Sequence, residues 1–507
     1  MRPEVRHAVE RIAGPVESWR RPDGGYSPAE RWVVRLASGG SAFVKAGVTG
    51  QSARRLRVER RFYESVEADF LPRLLGADDS VPLMVLEDLS EGRWPPPWED
   101  ADVEAVLSVL REIPLVRPPS HLGRLEDVPG IRGGWESVAA DPDPFLSTGL
   151  CSPDWLRETL PVLLEAERRA DLAGEALVHF DIRSDNLCLL PGRAVVVDWD
   201  SAAVGNPEVE VAGFLPSLRL EGGPLPDELW TGDGGLPALL AGFWACRMGL
   251  EAVPDAPRVR WIQRRAGTQA LWWTSRALGL PEPDGRWAQE AIDAASEDFR
   301  SGRINADQWT ASVEEALVDA YLLTADPRLQ SGKGGDEDEW RWSRELILDC
   351  FQGDATVLDV GCANGYLMQS LKRWGAERGR SIECWGLEIS SRLAWLARRR
   401  VGEPLASRIF VDDARKWVAP RRFDVVHTGL DYAPPGLERD LVSHLLSDVV
   451  APGGRLVLRA ERVRTGTADL VEQLSSLGWE PDGVVEAVHP KTGEVRRTAW
   501  VRAAIER

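Results

Sequence analysis

Residues 178–190 read Val178-His-Phe-Asp-Ile-Arg-Ser-Asp-Asn-Leu-Cys-Leu-Leu, and residues 194–200 follow as Ala194-Val-Val-Val-Asp-Trp-Asp. The second run begins as a short apolar strand and ends in a carboxylate, Asp198. The loop before it carries Asp181 and Asn186. Asp181, Asn186 and Asp198 are all oxygen ligands or bases, a set that suits a hard cation such as Mg²⁺. Phosphoryl transfer needs a base for the attacking hydroxyl and two ligands for the metal that holds the phosphates. His179 reads as a structural hydrogen-bonding residue rather than a catalyst.

Upstream, residues 31–36 (RWVVRL) and 41–46 (SAFVKA) are β-branched and aromatic runs joined by Ala37-Ser-Gly-Gly, the signature of a hairpin. Lys45 sits inside the second strand, where a lysine is otherwise poorly placed. A helix over about 52–66 puts Leu56, Glu59, Tyr63 and Val66 on one face. A carboxylate on a buried face needs a cation partner, and Lys45 is the obvious one.

The joint pattern resembles the aminoglycoside phosphotransferase family, relatives of the protein kinases, over roughly residues 15–280. The family's His-Gly-Asp-x-x-x-x-Asn stands here as His179-Phe-Asp-Ile-Arg-Ser-Asp-Asn186, and its Ile-Asp-Trp-Asp/Glu as Val197-Asp-Trp-Asp200. The resemblance implies a bilobal protein-kinase-like fold using ATP or GTP with Mg²⁺. Asp181 becomes the catalytic base, and Asn186 and Asp198 the metal ligands. Lys45 becomes the holder of the α- and β-phosphates, oriented by Glu59. The stretch Glu87-Asp88-Leu89 becomes the hinge that meets adenine, and Gly24-Gly25-Tyr26-Ser27 the turn over the nucleotide. The sequence departs from the family at Phe180, where glycine is usual, and at Asn206 and Glu210, where aspartates are. Arg183 stands two residues after the base, placed to neutralise the γ-phosphate.

A second segment carries different chemistry. Thr356-Val-Leu-Asp-Val-Gly-Cys-Ala-Asn-Gly-Tyr366 is an apolar strand running into a turn with glycines at 361 and 365, followed by a helix. Ala363 breaks the Gly-x-Gly-x-x-Gly dinucleotide pattern. Further strands over 382–387, 409–411, 423–427 and 455–458 alternate with helices, the last helix over 437–450. That order predicts a parallel sheet covered on both faces, with ligands at the carboxyl ends of its strands. Glu388, Asp412 and Asp413 lie at those ends.

This segment resembles the class I S-adenosylmethionine-dependent methyltransferases across roughly 310–507. Asp359, Gly361, Ala363 and Gly365 lie in the match to their first motif. Glu388 matches the ribose-binding acid and Asp413, beside Asp412, the adenine-contacting acid. Ala451-Pro-Gly-Gly matches the entry to strand five, and a hairpin over about 483–501 closes the sheet. S-adenosylmethionine is the implied cofactor. His427, Asp431 and Tyr432 lie nearest the expected acceptor. Leu430-Asp-Tyr-Ala-Pro-Pro lacks the order of the Asn/Asp-Pro-Pro-Tyr motif of amino-methylating DNA enzymes. The loop 330–335 contains Gly-Lys-Gly but no Walker A motif, since no strand precedes it; it is placed to close over the cofactor.

The fold class is therefore α/β and α+β, multidomain: a kinase-like domain (1–285), a helical linker or cap (286–338) and a Rossmann-like methyltransferase domain (339–507). A Pro-rich stretch, 280–285, marks the first boundary. Asn305 or Asp307 caps a helix over 308–323, and another runs over about 339–351. The 507 residues carry a net charge of −19, which argues against nucleic-acid or membrane partners and for small-molecule substrates. The six scattered cysteines, the absence of an apolar leader and the absence of a long apolar run predict a cytoplasmic protein. The function expected is phosphoryl transfer to a hydroxyl by one half and methyl transfer by the other; the alternative is a methyltransferase with a non-catalytic kinase-like module.

Overall fold

The computed structural model describes residues 1–22, 29–254, 256, 258–459, 469–489 and 491–504. The Gly24–Ser27 turn lies outside the described residues. The chain divides into two compact units, Met1–Arg286 and Trp287–Arg507.

The first unit opens with a helix, Pro3–Ala13, and a five-stranded antiparallel sheet. Its strands are β1 (Val16–Arg20), β2 (Glu30–Leu36), β3 (Ser41–Ala46), β4 (Leu74–Asp78) and β5 (Leu83–Glu87), in the order β1-β2-β3-β5-β4. Strand alternation divides β3 between two faces. Ala42, Val44 and Ala46 join Val5, Ala8 and Val9 in one core. Phe43 and Lys45 face the other way, onto a cleft. The helix after β3 runs Gly50–Tyr63, capped reciprocally by Thr49 and Ser52. It buries Leu56, Glu59, Phe62 and Tyr63.

The rest of this unit is mainly helical. Two short ladders interrupt it: β6 (Ala176–Val178) pairs with β9 (Ala203–Gly205), and β7 (Leu187–Leu190) with β8 (Arg193–Val196). They hold the loop 179–186 and Asp198. Phe62 stacks on Trp199 at 4.4 Å, fixing the end of that motif against the helix that carries Glu59.

The Pro-rich stretch is no loose tether. The backbone N–H and hydroxyl of Ser152 donate to the Asp284 carboxylate at 2.6 and 2.7 Å. The Trp155 indole donates to the Pro281 carbonyl at 2.9 Å, and Pro283 is buried. Most of the segment read as a separate cap belongs to the second unit. Helix Ala306–Tyr321 is joined to it through Arg392, which pairs with Glu314 (3.3 Å) and Asp319 (2.5 Å). Asn305, not Asp307, is its N-cap.

The second unit is built on seven strands: β10 (Ala355–Val360), β11 (Ile382–Glu388), β12 (Ile409–Val411), β13 (Phe423–Gly429), β14 (Val450–Arg459), β15 (Gly483–Val488) and β16 (Val495–Arg502). Their order is β12-β11-β10-β13-β14-β16-β15. The first five in that row are parallel, and β16 and β15 add antiparallel. The parallel strands are apolar on both faces because helices cover both. Two boundaries differ from expectation. The helix predicted over 437–450 is Glu438–His444 followed by one π-turn, Leu445–Val449. Val450 already pairs with Phe423, so Pro452-Gly-Gly lies within β14, where the register shifts, rather than before it.

Candidate active sites

Lys45 Nζ lies 2.6 Å from Glu59 Oε2 and 2.7 Å from Asp198 Oδ1. One ammonium thus joins a strand, a helix and the Asp-Trp-Asp turn. Burial lowers the affinity of Lys45 for its proton, but the two carboxylates outweigh that and hold it at about 12. Burial pushes Glu59 up to about 7, partly countered by Lys45. Asp198 resists burial through Lys45 and stays below the usual carboxylate range. Its backbone is left-handed, φ 69°, a conformation that costs a non-glycine residue about 1–3 kcal/mol and marks functional turns.

The loop 179–186 is organised from beneath. The fully buried His179 donates from Nε2 to the Val197 carbonyl (3.0 Å) and accepts the Asp181 N–H on Nδ1 (3.1 Å). Burial drives its affinity for a second proton down to about 4, so it stays neutral and positions the loop. Asn186 Nδ2 donates to the Asp181 carbonyl (2.8 Å) and carboxylate (3.2 Å). Arg183 Nε lies 3.2 Å from Asp181 Oδ1, and its guanidinium also reaches Asp185 at 2.9 Å. Burial raises Asp181 to about 6; Arg183 opposes this, while Asp185, Asp198 and Asp200 add to it.

Phe180 is also left-handed, φ 65°, which explains why glycine is usual there. Its N–H donates to Glu210 Oε1 at 2.6 Å. Glu210 is buried and pushed up to about 8 by burial, against the backbone amides it accepts.

Lys45, Glu59, Asp181, Arg183, Asn186 and Asp198 all line one cleft of about 1230 Å³, as do Glu87, Asp88 and Leu89. The Glu87 side chain is committed to Arg193 (3.2 Å), and the Asp88 side chain to Ser90. Any nucleotide contact from this stretch therefore falls to its backbone. Asp200, which also lines the cleft, and the bond from Phe180 to Glu210 were not singled out from sequence. The Asp-Trp-Asp run was the available signal for Asp200; nothing local announced the partner of Phe180.

In the second unit, Asp359, Gly361, Ala363, Glu388, Asp412 and Asp413 border one cavity of about 140 Å³. Glu388 is buried. It accepts the Ala363 N–H on Oε2 (2.8 Å) and the Ser390 N–H on Oε1 (3.0 Å). Burial raises it to about 7 against those two bonds. A carboxylate has about four acceptor sites, so two remain for a diol. At Gly361, φ 74°, a Cβ would come 2.4 Å from the Tyr432 ring. Gly365 does not border the cavity; a Cβ there would press on Val401 at 3.0 Å, so it serves close packing of the turn. Gln330 and Ser331 bond the Asn364 side chain at 2.8 Å each, which seats the 330–335 loop on the same turn.

One site reading needs correction, and a second residue has a partner the sequence did not announce. His427 does not border the cavity: it is buried, with Nδ1 2.8 Å from Asp359 Oδ1. Asp413 is gripped on both oxygens by Arg415 Nε (3.1 Å each), and Arg415 also holds Asp307 at 2.9 Å. The expected adenine acid is thus already paired, and its partner reaches the start of helix 306–321. That helix lines the cavity through Trp309 and Glu314. Arg415 and Glu314 belong to no motif, so sequence offered no signal for them. Asp431 and Tyr432 do border the cavity.

Residues 18–243 match the phosphotransferase enzyme family, and residues 357–454 match a methyltransferase domain. The chain is a fusion of an aminoglycoside phosphotransferase-like domain and a class I methyltransferase domain. A tRNA U34 carboxymethyltransferase from Klebsiella pneumoniae (strain 342) is 28% identical to this fusion over 188 residues, 32% of this chain and 54% of that protein. The fusion thus spans about half the length of that curated relative. Among solved structures, an N-methyltransferase from Bradyrhizobium japonicum WM9 aligns at 18% identity over 33% of this chain and 98% of its own, with a TM-score of 0.27. The magnesium protoporphyrin IX methyltransferase from Synechocystis PCC 6803 aligns at 19% identity over 35% and 89%, with a TM-score of 0.26. Among the described residues, no helix of the fusion is long and apolar enough to cross a membrane.

Proposed function

We propose that the chain is a bifunctional enzyme acting on small molecules, with phosphoryl transfer to a hydroxyl in the first unit and methyl transfer in the second. The observation that carries the first half is Lys45 bridging Glu59 and Asp198 in the cleft that also holds Asp181 and Asn186. A non-catalytic module has no need to bury an ion triad beside a carboxylate base, because such charges stabilise a fold poorly.

The donor set fits Mg²⁺: one carboxylate (Asp198) and one amide oxygen (Asn186) on the same cleft. That suits an ion that takes one or two protein carboxylates and completes its shell with phosphates and water. When bound, Mg²⁺ neutralises charge on the β- and γ-phosphates. Lys45 holds the neighbouring phosphates. Asp181 takes the proton of the attacking hydroxyl as the new P–O bond forms and the β,γ-bridging P–O bond breaks. Arg183 balances charge beside the base.

In the second unit, the acid at the end of β11 and the glycine that cannot carry a Cβ fit the ribose and backbone-contacting part of S-adenosylmethionine. The bound cofactor supplies an electrophilic methyl group. Glu388 binds the ribose hydroxyls and holds the turn through Ala363. Asp431 and Tyr432 border the place where an acceptor would enter. The curated relative's name carries a tRNA acceptor; the net charge of −19 favours small molecules for this chain.

The test is incubation with a metabolite extract, ATP, Mg²⁺ and S-adenosylmethionine, followed by mass spectrometry. Masses shifted by phosphoryl and by methyl support the reading. Methylation alone, in protein shown to bind MgATP, rejects the first half.

A further inference from the structure

The cleft of the first unit has two ends of different chemistry. Arg20, Arg31, Lys45 and Arg55 line one end, together with the 87–89 stretch. The other end lies beyond Asp181 and is walled by helices Glu208–Leu220, Gly235–Met248 and Arg258–Ala277. Among the described residues, those three helices place a single ionisable side chain on the cleft, Glu210. It is 1% exposed and already engaged by the Phe180 amide. Apart from Ser217 and Gln263, the other described residues that these helices place on the cleft are apolar. Phe180, Phe243, Trp244, Val253, Val259 and Ile262 are each half-buried and line the cleft. Phe180 meets Phe243 edge-to-face at 6.3 Å, and Phe243 meets Trp244 at 6.3 Å, so aromatic rings run outward from the base. Gly213 faces the same space, and a Cβ there would meet nothing within 4 Å.

We infer that the phosphoryl acceptor is an alcohol carried on an uncharged, largely apolar ring-bearing molecule, not a polycationic aminosugar. This rests on the phosphoryl-transfer reading above and names its substrate class. A polyamine needs carboxylates along its path, because an ammonium taken from water without a partner is costly. Among the described residues, the helical wall offers one carboxyl: it is buried, one of its oxygens accepts the Phe180 amide, and burial pushes it toward its neutral form. Apolar and aromatic walls instead reward apolar area, and rings stack on rings. Phe180 reinforces this: the left-handed site would accept glycine without strain, yet carries a ring beside the base. The transfer is balanced as alcohol plus ATP giving phosphate monoester plus ADP, with the hydroxyl proton passing to Asp181.

The experiment measures binding by tryptophan fluorescence and transfer by mass spectrometry on the full chain. The neutral probes are octyl β-glucoside, chloramphenicol and digitoxigenin; the cationic probes are kanamycin and neomycin. At least one neutral probe should bind about tenfold or more tighter than either aminoglycoside. Gly213→Leu, which fills the space, should weaken that probe about tenfold or more, with thermal unfolding as the fold control. Phe180→Gly should weaken it by a similar factor without lowering the unfolding temperature. Tighter binding of kanamycin or neomycin than of every neutral probe overturns the inference. So does a folded Gly213→Leu protein that binds the probe unchanged. MgATP titration of the wild type is read separately: no nucleotide binding rejects phosphoryl transfer, while the probe comparison still decides the chemistry of the wall.

Discussion

The Phe180 amide donates to the buried carboxyl of Glu210 at 2.6 Å, holding a left-handed phenylalanine directly before Asp181. The sequence presents these two residues as separate departures from a family pattern. In the fold they form one device: the carboxyl at 210 supports the backbone at 180.

Glu210→Ala should leave that amide without its acceptor and cost about 1–3 kcal/mol. Glu210→Gln keeps an acceptor and should cost less. The pH dependence has a definite sign. The folded carboxyl binds its proton up to about 8 and the unfolded one only to its ordinary 4.5. The folded state therefore holds more protons between these values, and stability falls as pH rises through that window. Thermal unfolding from pH 4.5 to 8 should show Glu210→Gln gaining on the wild type. A constant difference would reject the assignment.

Asp181→Asn should cost about 10²–10⁴-fold in phosphoryl transfer while nucleotide titrations stay near wild type. Because the free carboxyl is raised to about 6, kcat/KM for the acceptor should climb through that pH and level off above it. Full activity in Asp181→Asn would remove it as the base.

Lys45→Met leaves the Glu59 and Asp198 carboxylates facing each other without their cation. Breaking a buried pair typically costs about 3–5 kcal/mol. Both the unfolding temperature and MgATP affinity should drop. A variant as stable as wild type would show that the triad is not an energetic unit.

Glu388→Ala should weaken S-adenosylhomocysteine binding by about one to three powers of ten, since charge-assisted bonds are worth about 1.5–3 kcal/mol each. Asp307→Ala tests the paired state of Asp413: freeing one contact of Arg415 should change affinity less than Asp413→Ala does. Calorimetric titration ranks the three, and equal losses for Asp307→Ala and Asp413→Ala would contradict this.

The 280–285 stretch should resist limited proteolysis, despite its two prolines and glycine, because its backbone and side chains are bonded to 150–155. Asp284→Ala should open it to early cleavage, read by mass spectrometry of the fragments. Early cleavage of the wild type would refute the pinning.

Local chemistry made much of the rest legible. Lys45 and Glu59 could be paired from sequence because a charge on an apolar face needs its opposite, and Gly361 could be read because its turn excludes a side chain. The parallel pairing of the strands, though not their order in the sheet, followed from alternation of strand and helix. Arg415, Glu314 and the seating of Asn364 by Gln330 and Ser331 could not be read that way. No motif ties an arginine beside β12 to a helix about a hundred positions earlier.

The sequence by itself pointed to the kinds of chemistry: carboxylates, an amide and a lysine that resemble a phosphoryl-transfer set, and an acid and glycines that resemble a methyl-donor turn. That resemblance is carried by the order and spacing of residues along strands and loops. Only the tertiary structure decided what each group has for company. It committed His427 to Asp359, Asp413 to Arg415 and Glu210 to Phe180, and it lined the far end of the cleft with apolar rings. The reason is physical: partners and dielectric are set by packing between distant segments, and that packing is not written in any local pattern.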